Sequence, residues 1–168
     1  MPIFSTQRLV MDEMSVDDAA FIWQLFNDPL CLQFIGDKGL NSLEDARKYI
    51  IDGPQRSYAE LGVGLWLLRD RHSKEPIGVC GLLKRPYLDF FDLGYGISAS
   101  KRGMGYALEA AQGCLRYADE LGITTLQAMV SPQNQASRQL LIKLGFKTDM
   151  VMSPHINPND TLVFRYDH

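Results

Sequence analysis

The chain has little of what disulfide, metal and membrane proteins are built from. Its three cysteines, Cys31, Cys80 and Cys114, lie far apart, each among apolar neighbours. An odd count at such spacings gives no disulfide framework and no metal-ligand pattern, and it reads as buried thiols in a reducing compartment. No apolar run approaches the roughly 20 residues that a membrane span needs. The stretch Met1 to Arg8 lacks the charged-then-apolar layout of a secretory signal. Nor is there an excess of positive charge. The formal net charge of -3 and pI of about 5.6 argue against a nucleic-acid protein, which would carry a basic face or stripe. No repeat, low-complexity tract or linker interrupts the 168 residues. What remains is a cytoplasmic protein of one domain, residues 1–168, with an ordinary globular composition and enough chain for a sizeable core.

Local signals divide the chain into elements. Arg8 to Met11 is a short β-rich run. Ser15 caps a helix that has Asp17 and Asp18 in its first turn and Ala20, Ile22, Trp23 and Phe26 along it, and Asn27-Asp28-Pro29 stops it. Asn41 or Ser42 opens a second helix through Ala46 and Ile50, and the whole stretch from Pro29 to Gly64 is helical or irregular. Strand signals follow at Leu65–Arg69, Pro76–Leu83 and Phe90–Ser98, with connections short enough for an antiparallel meander. Gly78 and Gly81 inside the second of these predict a bulge or a close backbone approach. A long helix from about Tyr106 to Leu121 has Ala107, Ala111, Leu115 and Ala118 at helical spacing, with Gly122 as C-cap. Then come a strand at Thr124–Val130, a helix from Asn134 to Gly145, and strands at Phe146–Met152 and Thr161–Tyr166. The fold class is α/β (α+β), a mixed, mostly antiparallel sheet flanked by helices. Its strand, long helix, strand passage is a parallel crossover expected to be right-handed.

Chemistry concentrates where Ile97-Ser98-Ala99-Ser100-Lys101-Arg102-Gly103-Met104-Gly105 runs into the long helix at Tyr106 and Ala107. A glycine-rich loop at a helix N-terminus aims several backbone N–H groups at one anion, and the helix dipole favours phosphate there. A tight turn uses the same residues, so this loop alone supports either reading. Lys101 and Arg102 can add charge. The segment is neither G-x-x-x-x-G-K-[ST] nor G-x-G-x-x-G, which disfavours a nucleotide-binding protein of either type.

The second segment, Val130-Ser131-Pro132-Gln133-Asn134-Gln135-Ala136-Ser137 leading to Leu144-Gly145-Phe146, resembles the GCN5-related N-acetyltransferases (GNAT). Arg102 to Ala110 matches that family's R-G-x-G-Y-A-x-E-A run. Thr6-Gln7-Arg8-Leu9-Val10, Asp17-Asp18-Ala19, Asn27-Asp28-Pro29 and Ser42-x-x-Asp45-Ala46 are similar to its ribosomal-protein alanine and serine N-acetyltransferase branch. The resemblance implies the GNAT fold, acetyl-CoA as cosubstrate, no metal, and direct transfer to a primary amine, either a protein N-terminus or a small molecule. It implies that Ile97 and Ser98 hold the pantetheine arm by backbone hydrogen bonds. The backbone N–H groups of Arg102, Gly103, Gly105, Tyr106 and Ala107 would receive the CoA pyrophosphate. Asn134 would bind the pantetheine or shape the acetyl pocket, and a helix N-cap is its other reading. Ser137, one turn on, would give a proton to the leaving thiolate. One departure is Ser100, where many members carry Gln or Arg.

The expected base is Asp92, on the strand leading to the loop, with an exposed strand aspartate as the alternative; the Ile97 N–H is the expected oxyanion donor. Trp23 and Trp66 read as core, and His155 as a surface-loop histidine. Phe90-Phe91 and Tyr87-Leu88 fit either an acceptor groove or a capped sheet edge. A non-catalytic acyl-CoA-binding sensor or interaction module is the rival reading. Pairing as a homodimer is left open.

Overall fold

The structure is a computed structural model that describes residues 2–152 and 161–168. The strands are β1 (Phe4–Ser5), β2 (Leu9–Asp12), β3 (Leu65–Asp70), β4 (Pro76–Leu83), β5 (Phe91–Ile97), β6 (Thr125–Val130), β7 (Lys147–Val151) and β8 (Leu162–Asp167). They form one sheet in the order β1-β2-β3-β4-β5-β6-β8-β7. Every pair is antiparallel except β5 with β6. The parallel pair is the one joined through the long helix, as its connection requires.

Helix starts follow the caps expected. Ser15 forms a capping box with Asp18 around a single tight turn that runs into α1 (Ala19–Phe26). Asp28 ends that segment and caps α2 (Pro29–Phe34), with Pro29 in the first turn, where a missing N–H costs nothing. Ser42 is the cap of α3 (Leu43–Ile50). A wide turn over Ile51–Gln55 containing Pro54 joins α3 to α4 (Arg56–Leu61), since proline lacks the N–H that a regular helix would need there. Helices α5 (Tyr106–Glu120) and α6 (Gln135–Leu144) end at Gly122 and Gly145, both with positive φ. Among the described residues no helix is long and apolar enough to cross a membrane.

The central strands are buried on both faces, and the two sides alternate along them. Trp66, Leu68, Cys80 and Leu82 pack with Ala110, Ala111, Cys114 and Ala118 of α5. Leu65, Leu67 and Val79 point the other way, onto Ile22, Phe26, Ala46 and Ile50 of α1 and α3. This period of two on strands covered by helices turns an apolar run into two cores. Trp66 is core as expected, whereas Trp23 is 37% exposed and its indole N–H donates to Leu40 C=O at 3.1 Å. Its neighbours in sequence are apolar, but it sits on the outer side of α1.

Candidate active site

Strands β5 and β6 pair only at Phe91↔Leu126 and Asp92↔Gln127, and then part. Beyond that point the side of β5 facing β6 has no ladder partner among the described residues. On the β4 side, Ser98 N–H donates to Ile77 C=O at 2.9 Å. Antiparallel alternation therefore turns the N–H groups of Ile97 and Tyr95 away from β4 and towards the gap. A groove of about 1430 Å³ occupies this split and continues beneath α2 and α4. Its lining includes Asp92, Tyr95, Ile97, Ala107, Asn134 and Ser137.

Asp92 stands at the fork. It is only 3% exposed, so the exposed-aspartate alternative is excluded. Its Oδ1 accepts the Met129 N–H at 3.3 Å, and its Oδ2 accepts from Arg85 Nε, also at 3.3 Å. Burial is the dominant influence. It lifts the carboxyl to about 6 against the opposing pull of Arg85, the Met129 N–H and Lys38. Across the gap Ser137 shares a short hydrogen bond with the Tyr95 phenol, while its N–H donates to Asn134 Oδ1 at 3.2 Å. Asn134 is thus the N-cap of α6. Burial pushes the Tyr95 phenol up to about 12, so it keeps its proton.

The glycine loop meets the other end. Gly103 and Gly105 have φ of +76° and +81°, which a Cβ would strain. Helix α5 has no side-chain cap, and its first internal bond is Glu109 N–H to Gly105 C=O at 3.1 Å. The N–H groups ahead of it are left facing outward. The loop is tied in place from far along the chain. Glu109 accepts from Thr6 Oγ1 at 2.5 Å, from Arg8 N–H at 2.8 Å and from Arg8 Nε at 2.7 Å. Arg8 in turn donates to Met104 C=O at 2.9 Å and lies 4.3 Å over the Tyr106 ring.

A family model described as the acetyltransferase (GNAT) domain matches residues 8–147. The chain belongs to the GNAT acetyltransferases. It is 28% identical over 163 residues to the uncharacterized N-acetyltransferase YoaA of Bacillus subtilis, covering 95% of this chain and 91% of that one. An acetyltransferase structure from Agrobacterium tumefaciens superposes with a TM-score of 0.84 at 26% identity, covering 100% and 95% of the two chains. The ribosomal L7/L12 α-N-protein acetyltransferase RimL, solved in complex with coenzyme A, has the same fold: TM-score 0.83, 18% identity, 99% and 98% covered.

In this acetyltransferase Asp92, Ile97, Arg102, Ala107, Asn134 and Ser137 line one groove, whereas Ser98, Gly103, Gly105 and Tyr106 are not part of its lining. Ile97 turns its N–H into the gap. Ser98 does not, because its N–H is engaged by Ile77 and its C=O accepts from Lys101 N–H at 2.9 Å. The Arg102 guanidinium donates to Asp28 at 2.6 Å, and Lys101 lies 3.8 Å from Glu75. Both side chains are thus engaged within the protein, and the outward-facing donors of the loop are backbone N–H groups. His155 lies outside the described residues. Sequence reasoning missed Tyr95, Arg85 and Lys38, and it placed Glu109 and Arg8 in motifs without a role. None of them carried a sequence signal: Tyr95 lies three residues from Asp92 on β5, where the period of two predicts opposite faces.

The Arg8–Glu109 tie yields an expected result. Burial alone would raise the Glu109 carboxyl, but the hydrogen bonds from Thr6 and Arg8 and the Arg8 charge hold it below the usual glutamate range. Its stabilisation is therefore full above the ordinary glutamate pKa and is lost as pH falls through the lower folded value. Glu109→Gln should cost about 2 kcal/mol. Thermal unfolding at pH 7 should then show a midpoint roughly 4 to 8 °C lower, with the gap closing in acid. An unchanged midpoint would remove the tie from the account.

Proposed function

We propose that the chain transfers an acetyl group from acetyl-CoA to a primary amine by direct attack, without metal or covalent enzyme intermediate. The observation that carries this is a buried carboxyl, Asp92, at the fork of β5 and β6, with the Tyr95–Ser137 pair on the same groove. The residues present fit the cosubstrate. The uncapped start of α5 and its positive-φ glycines suit a pyrophosphate, and the outward N–H of Ile97 suits the thioester arm. RimL, a coenzyme A complex of the same fold, supports that choice.

Each residue then has a task. Asp92 takes the proton that the amine sheds, directly or through one water. The Ile97 N–H faces the oxygen on which negative charge develops. Ser137 passes its proton to the departing sulfur as it regains one from water, and Tyr95 holds the serine hydroxyl in place. A base near 6 suits an α-amine, whose unperturbed pKa is about 8, better than a lysine near 10.4. An α-amine, on a protein N-terminus or a small molecule, is accordingly the preferred acceptor.

Thermal unfolding with acetyl-CoA, against ATP as control, tests the cosubstrate. At about 100 times its dissociation constant the ligand adds roughly 2.7 kcal/mol, or about 5 to 10 °C for this size. Thiol release with a panel of amines then tests turnover, and Ser137→Ala should lower kcat while leaving the acetyl-CoA shift intact. No shift with acetyl-CoA sinks the proposal. A shift without product from any amine would favour the sensor reading instead.

A further inference from the structure

The acceptor side of the groove carries two cations and one buried carboxylate. Arg85 reaches Asp92 through Nε alone, at 3.3 Å, and its two terminal nitrogens have no partner among the described residues. Lys38, in the loop after α2, lines the same groove and makes no hydrogen bond or ion pair with a described residue. It is nonetheless within the field of both groups. Burial lowers its pKa most, Arg85 lowers it further, and Asp92 raises it. The acidic side chains on this stretch of the lining, Asp37, Asp52 and Glu60, are solvent-exposed, so they neutralise little at depth. The Tyr49 phenol, kept protonated by burial, adds a further donor to the lining.

Among the described residues, two half-buried cations beside a single buried carboxylate leave positive charge uncompensated where desolvation makes it costly. Among the described residues nothing requires that arrangement. Arg85 already holds Asp92 by a hydrogen bond, and a lysine added beside it repels the guanidinium as well as attracting the carboxylate. The arrangement becomes favourable once an anion enters, because planar guanidinium and point-charge ammonium then share its oxygens. We propose that Lys38 and Arg85 form an anion subsite, so that the acceptor is an amine carrying a carboxylate or phosphate close to its reacting nitrogen. The inference rests on the acetyl-transfer reading for where the amine enters, and the subsite itself stands on the charges alone.

Two measurements test it. The first compares kcat/KM for amines that differ only in the anion. These are L-amino acids against their carboxamides, aminoalkyl phosphates against the matching amino alcohols, and short peptides with Asp or Asn in second place. The preferred pair names the source of the anion. At least one pair should favour the acid by about 10- to 100-fold, and Lys38→Met should bring that ratio towards one. Arg85 is left intact, because its removal would also release Asp92. The second measurement needs no turnover. Inorganic phosphate, titrated at constant ionic strength, should move the NMR signals of the Lys38 and Arg85 side chains, and Lys38→Met should abolish the Arg85 response. Phosphate binding without turnover of any amine would keep the subsite and count against acetyl transfer. No acid preference in any pair, or no response to phosphate, overturns the subsite.

Discussion

Asp92→Asn should lower kcat/KM by about 100- to 10,000-fold, the range of a lost general base, while leaving the fold intact. Asparagine keeps an oxygen for the Met129 N–H, so the fork between β5 and β6 has no reason to open. Two groups must be deprotonated before the wild-type enzyme reacts, the carboxyl near 6 and the amine near 8. Below about pH 6, log kcat/KM should climb with a slope of two, and between there and the amine's pKa with a slope of one. In the variant the step near 6 disappears and a slope of one runs through. The sign for stability is opposite to that of a salt-bridged carboxylate. A folded pKa above the unfolded value means that ionisation opposes folding, so stability falls as pH rises from about 4 through about 6. Asparagine removes that pH-dependent penalty but sets an amide NH2 against Arg85 Nε, so the midpoint of the variant relative to wild type should rise between pH 5 and pH 7. An active variant, or a wild-type profile with no break near 6, would give the proton to another group.

Gly81→Ala should be the most damaging small change to the fold. A Cβ there would lie 2.0 Å from the carbonyl oxygen of Gly64 and 2.8 Å from Leu65 Cα, all backbone of the adjoining strand. The same carbonyl accepts the Leu82 N–H at 3.1 Å, so it cannot swing aside without breaking the ladder. The cost should exceed about 3 kcal/mol, which lowers the unfolding midpoint by at least roughly 6 °C or leaves no folded protein. Gly96→Ala is the control. Its Cβ would meet only Ile35 Cδ1 at 3.5 Å and Val79 Cγ2 at 3.8 Å, ordinary contacts with movable side chains. If the two variants melt alike, the close approach of β3 and β4 is not what requires glycine at 81.

Which parts were legible before the structure follows the range of the forces involved. Pro76–Leu83 was readable as a strand to the residue, Ser15 and Asn134 as caps, and a third cap as Asn41 or Ser42, because each depends on a few neighbouring dihedrals and hydrogen bonds; the structure selects Ser42. The bend from α3 to α4 was harder to place, since a wide turn at Pro54 keeps helical dihedrals while breaking helical spacing. Strand β1 escaped notice: two residues carry no period, and only pairing with β2 makes Phe4–Ser5 a strand. Trp23 shows the converse, an apolar neighbourhood in sequence that became an outer helix face.

The sequence by itself determined the order of elements, the glycine loop at the start of α5, and the set of residues from which the site is drawn. Periodicity, capping and positive φ are local properties, and they survive without knowledge of the fold. Only the tertiary structure decided what those residues can do. The Asp92 carboxyl is lifted to about 6 because helices and strands remove the water around it, which no neighbour in sequence does. The Arg102 guanidinium is tied to Asp28, Arg8 holds the glycine loop through Met104 and Glu109, and Tyr95 finds Ser137. Each of these pairs is joined across at least 42 positions of chain. Charge, hydrogen bonding and dielectric act through space, and they were settled where the chain brought distant residues together.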